Sequence, residues 1–103
     1  MSYKNIEANA VGELLARDDV VVIDTRDGLA QSQGRLPKAQ PANDYVIGSL
    51  MMKRRSNPPV LVYCYEGHSS RDMCTFLHQM GLSEVYNLVG GWAAWAALPE
   101  PVV

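Results

Sequence analysis

Two short runs, Val20-Val21-Val22-Ile23 and Val60-Leu61-Val62-Tyr63, are apolar at every position. A strand with one wet face alternates apolar and polar residues. One that does not alternate must be covered on both faces. Between such strands the pattern changes to a helical period. Asn9 can cap a helix over Ala10–Arg17, with Val11, Leu14 and Leu15 on one face. Asn43-Asp44 opens a second helix through about Lys53, with Val46, Ile47, Leu50 and Met51 inward. Ser70–Met80 reads as a third, closed by Gly81. Glu84–Leu88 is a further strand, and Gly90-Gly91 leads into a last helix carrying Trp92 and Trp95. Ile6 marks a short first strand. Residues 28–42, rich in Gly, Pro, Gln and Ser, read as a long surface connection. Asn57-Pro58-Pro59 ends the second unit, and Pro99 and Pro101 finish the fold. Strands alternating with helices specify an open parallel α/β sheet.

A chain of 103 residues implies one domain, 1–103, able to bury one core without staples. The 48% hydrophobic content is enough for that core, and no apolar run approaches a membrane span. Met1-Ser2-Tyr3-Lys4-Asn5 lacks the apolar centre of a signal peptide. The expectation is a cytoplasmic protein with no membrane partner. A net charge of −2 argues against a nucleic-acid groove, which needs a basic face. The one basic run, Lys53-Arg54-Arg55, reads as a cationic helix C-terminus. The two cysteines, Cys64 and Cys74, have no CxxC spacing and no His/Cys cluster around them. Neither a disulfide framework, a metal site nor a cofactor is expected.

Cys64 is where chemistry is specified. It follows the strand Val60–Tyr63 and opens a polar loop, Tyr65-Glu66-Gly67-His68-Ser69, that runs into a helix beginning near Ser70-Arg71. A thiol facing a helix N-terminus sits where a thiolate is stabilised by loop N–H groups and by the helix dipole. The dipole contributes about 0.3–2 kcal/mol. That lowers a thiol from ~8.5 to roughly 7, so further activation has to come from the amides of residues 65–69. The polar loop also argues against an inert cysteine buried in apolar surroundings. Asp24-Thr25-Arg26 ends the other buried strand, at the same sheet edge, where open α/β sheets bind ligands.

Four segments together resemble the single-domain rhodaneses, thiosulfate sulfurtransferases of the small bacterial type. Val22-Ile23-Asp24-Thr25-Arg26-Asp27 resembles the family's strand-then-DxRD segment, and Gly34-Arg35-Leu36-Pro37-Lys38-Ala39 its GHIPGA segment. Cys64 through Arg71 resembles the active-site loop, and Gly90-Gly91-Trp92-Ala93-Ala94-Trp95 the closing GGxxxW motif. The resemblance implies a three-layer α/β/α fold around a central parallel sheet of about five strands. It also implies a sulfane-sulfur transfer through a Cys64 persulfide. The donor would be thiosulfate or a persulfide. The acceptor would be cyanide, a thiol, or a thioredoxin-like or sulfur-relay protein. Arg35, Leu36 and Lys38 stand where the family usually has His, Ile and Gly. Glu66 places a carboxylate in a loop that well-studied members often line with cations. A persulfide carrier serving a partner protein is therefore the alternative reading. Cysteine phosphatases use Cys-x5-Arg. Here Ser70 holds the arginine's position and Arg71 comes one residue late, which disfavours phosphatase or arsenate reductase chemistry.

The expected site is thus Cys64 as nucleophile, with Tyr65, Glu66, Gly67, His68, Ser69, Ser70 and Arg71 as the substrate loop. Ser70 reads as a helix cap more than a reacting group, and His78 as a surface residue. Asp24 and Arg26 either edge the site or form the structural ion pair that the resemblance favours. Cys74, in step with Met73, Leu77 and Met80, reads as core, as do Trp92 and Trp95.

Overall fold

The computed structural model describes residues 3–99. Its strands are β1 (Lys4–Ile6), β2 (Val21–Asp24), β3 (Ala39–Pro41), β4 (Val60–Tyr63) and β5 (Val85–Leu88). Its helices are α1 (Gly12–Leu15), α2 (Gly28–Ser32), α3 (Asp44–Met52), α4 (Ser70–Gln79) and α5 (Gly91–Ala96). The strands form one parallel sheet in the order β1-β5-β4-β2-β3. The two unalternating runs pair at its centre, Val22 opposite Leu61 and Ile23 opposite Val62, and every residue of both strands is buried.

Alternate residues of those strands point to opposite layers. Val22, Leu61 and Tyr63 pack with Leu14 and Leu15 of α1 and against the half-buried Trp92 and Trp95 of α5. Val21, Ile23, Val60 and Val62 pack with Leu50 of α3 and with Cys74 and Leu77 of α4. Each fully buried aliphatic side chain is worth about 1.5–3 kcal/mol. The two half-cores hold the sheet between helical layers, a three-layer α/β/α arrangement.

Several elements depart from the sequence reading. The first helix is only Gly12–Leu15, preceded by a 3-10 turn at Ala8–Ala10, and Asn9 lies inside that turn with no capping bond. Gly12 in the expected helix interior costs roughly 0.5–1 kcal/mol against alanine, and the segment breaks there. Residues 28–42 are not one surface connection. Asp27 caps α2 by accepting the Ala30 N–H at 2.8 Å, Leu36 is fully buried, and Ala39–Pro41 is an edge strand on β2. Pro41 is tolerated there because it closes the outermost strand.

Lys38, at the position the family gives to glycine, has φ +68°. Its ammonium donates to the carbonyls of Leu15 (2.8 Å) and Arg17 (2.9 Å). It thereby holds the end of α1 in return for a strained backbone. Asn43 caps α3, accepting the Val46 N–H at 2.8 Å, and Gly81 follows α4 with φ +109°. The basic run closes α3 at Lys53 and continues as a 3-10 turn at Arg54–Ser56. Among the described residues no helix is long and apolar enough to cross a membrane. Met1, Ser2 and Pro101 lie outside the described residues.

Candidate functional site

Because the sheet is parallel, β2, β4 and β5 all end at one edge. Cys64 is the first residue past β4 and is 2% exposed. The Gly67 N–H donates to its sulfur at 3.1 Å. Gly67 reaches that position with φ +90°, and a Cβ there would lie 2.8 Å from the Gly90 nitrogen. The loop is held from behind by the start of α5. The Trp92 N–H donates to the Cys64 carbonyl at 2.8 Å, and the Ala93 N–H to the Tyr65 carbonyl at 3.0 Å. In a trans peptide C=O and N–H point oppositely. Ala93's hold on Tyr65 therefore turns the Glu66 N–H away from α5, to the sulfur side. Gly91 permits the approach, since a Cβ there would lie 2.5 Å from the Cys64 carbonyl.

Burial pushes the Cys64 thiol up. The hydroxyls of Ser69 and Ser70 and the amides of Ser70 and Glu66 outweigh it and bring the thiol to about 6. The thiolate therefore predominates at pH 7. Ser70's single hydroxyl proton lies on Asn87 Oδ1 at 2.5 Å, so Ser69 and the amides carry the effect until Ser70 turns. The sequence reading made Ser70 the helix cap. Instead Ser69 holds the N-cap position, and Ser70 is the first helical residue, fully buried. The polar loop argues against a cysteine buried in apolar surroundings. The residue is buried, and what surrounds its sulfur is hydrogen-bond donors.

Tyr65 is half exposed, and its hydroxyl donates to the Asp27 carboxylate. This bond and the Ala30 amide hold that carboxyl below its usual range. Tyr65 is thus engaged with the cap of α2. Glu66, His68 and Arg71 are exposed and, with Tyr3, Asn5 and Asn87, line a cavity of about 240 Å³ beside the loop. The Arg71 Nε–H donates to the His68 carbonyl at 3.1 Å.

Asp24 and Arg26 are buried in an ion pair of 2.9 Å. Arg26 also donates to the Gly34 carbonyl at 2.6 Å and lies 4.6 Å over the Trp92 ring. Tyr63 donates to Asp24 at 2.6 Å. Burial works against the Asp24 carboxylate, but Arg26 and Tyr63 hold it below the usual range. These contacts tie β2 to residues 34–36 and to α5. His78, read as a surface residue, is half-buried, with Nδ1 3.2 Å from the Leu82 carbonyl.

Sequence reasoning missed Asn87, which touches both Gly67 and Ser70. Its only trace is a polar residue between Tyr86 and Leu88 in the strand Glu84–Leu88. Among the described residues no cluster of side chains is arranged to hold a metal ion.

The chain is 33% identical to a thiosulfate sulfurtransferase GlpE from Pseudoalteromonas translucida, an alignment covering 94% of this chain and 92% of that one. It is 34% identical to the protein of the same name from Coxiella burnetii, over 94% and 91% of the two chains. Among solved structures it resembles the rhodanese-like domain of the Anabaena Alr3790 protein, with a TM-score of 0.77 at 20% identity, covering 98% of this chain and 78% of that one. The rhodanese-like domain model matches residues 7–98. The chain therefore belongs to the rhodanese-like domain family.

Proposed function

We propose that this protein is a thiosulfate sulfurtransferase working through a Cys64 persulfide. The observation that carries the reading is a buried sulfur at the floor of a loop, with the Gly67 N–H 3.1 Å from it and further amides and hydroxyls of the loop bringing the thiol to about 6. The Cys64 thiolate attacks the outer sulfur of thiosulfate. The S–S bond of the donor breaks, its electron pair leaves with sulfite, and Cys64 carries a persulfide anion. Cyanide or a thiolate then attacks the terminal sulfur, and Cys64 leaves as thiolate. Thiolate and persulfide are both anions, so the same amides serve each half-reaction. Tyr65, Glu66, Gly67, His68, Ser69, Ser70 and Arg71 form the wall that the donor meets, with Gly67 and Ser69 nearest the chemistry. The Asp24–Arg26 pair acts structurally. A free thiol suits the reducing cytoplasm.

The exposed Glu66 carboxylate favours a second reading, a persulfide carrier loaded by a partner protein. Intact mass before and after thiosulfate, followed by thiocyanate release with cyanide, tests both. Gain of one sulfur atom on Cys64 and turnover to thiocyanate are expected. Gain of sulfur without turnover would select the carrier. The same adduct on a Cys64→Ser protein, or no adduct at all, would overturn the proposal.

A further inference from the structure

β5 places an amide where the adjacent β4 places core. Asn87 is 2% exposed and stands in register with Val62 of β4 on one side and Asn5 of β1 on the other. Cross-strand partners share a face, and Val62 faces the layer of α3 and α4. A buried amide is tolerated only when hydrogen-bonded, and here the bonds run to the catalytic loop. Asn87 Nδ2 donates to the Gly67 carbonyl at 3.1 Å and to Asn5 Oδ1 at 3.3 Å, and Oδ1 accepts from Ser70 at 2.5 Å. The arrangement has one consistent orientation. The Gly67 carbonyl can only accept, so the amide nitrogen must face it. Oδ1 is then turned to Ser70, which must donate.

We propose that Asn87 is a positioning residue for the sulfur of Cys64, its one side-chain amide holding both Gly67, in the middle of the loop, and Ser70, at the start of α4. The proposal rests on the reading of Cys64 as the nucleophile. Gly67 supplies the N–H that lies 3.1 Å from the sulfur, and Asn87 grips the same residue by its carbonyl. The Ser70 hydroxyl donates to Asn87 Oδ1 at 2.5 Å, and the sulfur, whose thiolate the same hydroxyl favours, is its alternative acceptor. While Cys64 is a thiol, the proton lies on Asn87. When the sulfur becomes an anion, as thiolate or persulfide, the hydroxyl turns to it and Asn87 Oδ1 gives the proton up. Asn87 thus fixes the backbone donor and holds the hydroxyl donor in reserve.

Among the other titratable groups on the elements around Cys64, the Tyr65 hydroxyl is hydrogen-bonded to Asp27, the Tyr86 hydroxyl of β5 to Glu84 at 3.1 Å, and His78 Nδ1 of α4 lies 3.2 Å from the Leu82 carbonyl. Cys74 of α4 is buried and stays protonated to about 12. Asp24 and Arg26 of β2 neutralise each other, and Tyr63 of β4 is hydrogen-bonded to Asp24. Glu66, His68, Arg71 and Asp72 are exposed.

Two measurements test the proposal independently of sulfur transfer. In the unsubstituted protein, NMR should show the Asn87 side-chain NH₂ signals titrating with the same midpoint as Cys64 alkylation. They should be flat in Cys64→Ser, which separates the sulfur from His68. Signals that do not move with Cys64 would overturn the shared proton. In a Ser70→Ala background, where a freed Ser70 hydroxyl cannot compensate, Asn87→Leu should raise the Cys64 midpoint by about one pH unit, a tenfold loss of thiolate below it. Asn87→Thr, whose hydroxyl can bond the Gly67 carbonyl, should recover part of that. A folded leucine variant with an unchanged midpoint would reduce Asn87 to a packing role. If leucine prevents folding, Asn87→Ala takes its place, and the NMR titration stands without any substitution at Asn87. Loss of sulfur transfer in the unsubstituted protein would sink the sulfurtransferase reading while leaving both titrations interpretable.

Discussion

Cys64 and Cys74 are ten positions apart in the chain, 2% and 0% exposed, and opposite in character. The Cys64 thiol is brought to about 6, whereas burial and then the charge on Cys64 push Cys74 up to about 12. Burial raises both thiols, so it cannot explain why Cys64 falls. What differs is the partner. The Cys74 sulfur lies 3.7 Å from the Tyr86 carbonyl, an acceptor that favours S–H. Cys64 faces N–H and O–H groups, which favour S⁻. Of these two buried cysteines, the one facing an oxygen is held as a thiol and the one facing hydrogen-bond donors as a thiolate.

The largest test of this contrast is substitution. Cys64→Ser should abolish sulfur transfer and keep the fold, since the residue lies in a loop. Cys74→Ser should retain most activity. An equally dead but folded Cys74→Ser protein would break the contrast, because α4 would then carry a second working thiol.

Acidity is the next test. In the folded protein, the alkylation rate of Cys64 should rise with a midpoint near 6, and Cys74 should stay unmodified until well above pH 9. In denaturant both should converge on ~8.5. The same values set opposite stability signs. Cys64 is depressed on folding, so its stabilisation is absent below about 6 and complete above the ordinary thiol value of 9.0. Cys74 is raised, so its thiol stabilises at low pH and that stabilisation is lost as pH climbs from 9.0 to about 12. Each slope is at most about 1.4 kcal/mol per pH unit. Denaturation of Cys64→Ser against the unsubstituted protein should show the pH 6–9 rise disappear. A rise that persists without Cys64 would assign it to another group.

Glu66→Gln is the smallest of the effects. A charge near the incoming dianion is felt, but Glu66 is exposed and solvent screens it. The second-order rate with thiosulfate should rise a few-fold, toward the low end of the about 0.6–2 kcal/mol range for such a repulsion. The gain should shrink as salt is added. An unchanged or lower rate would mean that the carboxylate plays no part in donor choice, or a favourable one.

How much of this was legible in the sequence follows the same division between side chains and backbone. β2 and β4 could be read because strands covered on both faces cannot hide their composition. The loop could be read because a thiol, a glycine and two serines between a strand and a helix have few other uses. β3 could not, since three residues ending in Pro41, paired on one side only, carry too little apolar signal to stand out from a turn. The short α1 was misread because Val11, Leu14 and Leu15 keep a helical spacing across the break before Gly12. Ser70 reads as a cap because serines at helix starts commonly cap them. Its actual partner, Asn87, comes from a strand 17 residues away. The grips of Trp92 and Ala93 on the loop carbonyls leave no side-chain trace at all.

Those grips have a consequence for biosynthesis. The amides that turn the loop's N–H groups toward Cys64 belong to Trp92 and Ala93, and Asn87 follows the cysteine by more than twenty positions. Chains are made from the N-terminus onward, and contacts distant in sequence close last. During synthesis the thiol exists well before the parts that sharpen it. An emerging chain that has passed Cys64 but not Ala93 carries an ordinary thiol, slow to react with sulfur donors or oxidants. Reactivity arrives together with the docking of the final helix, so the nascent protein is spared its own chemistry until it can contain it.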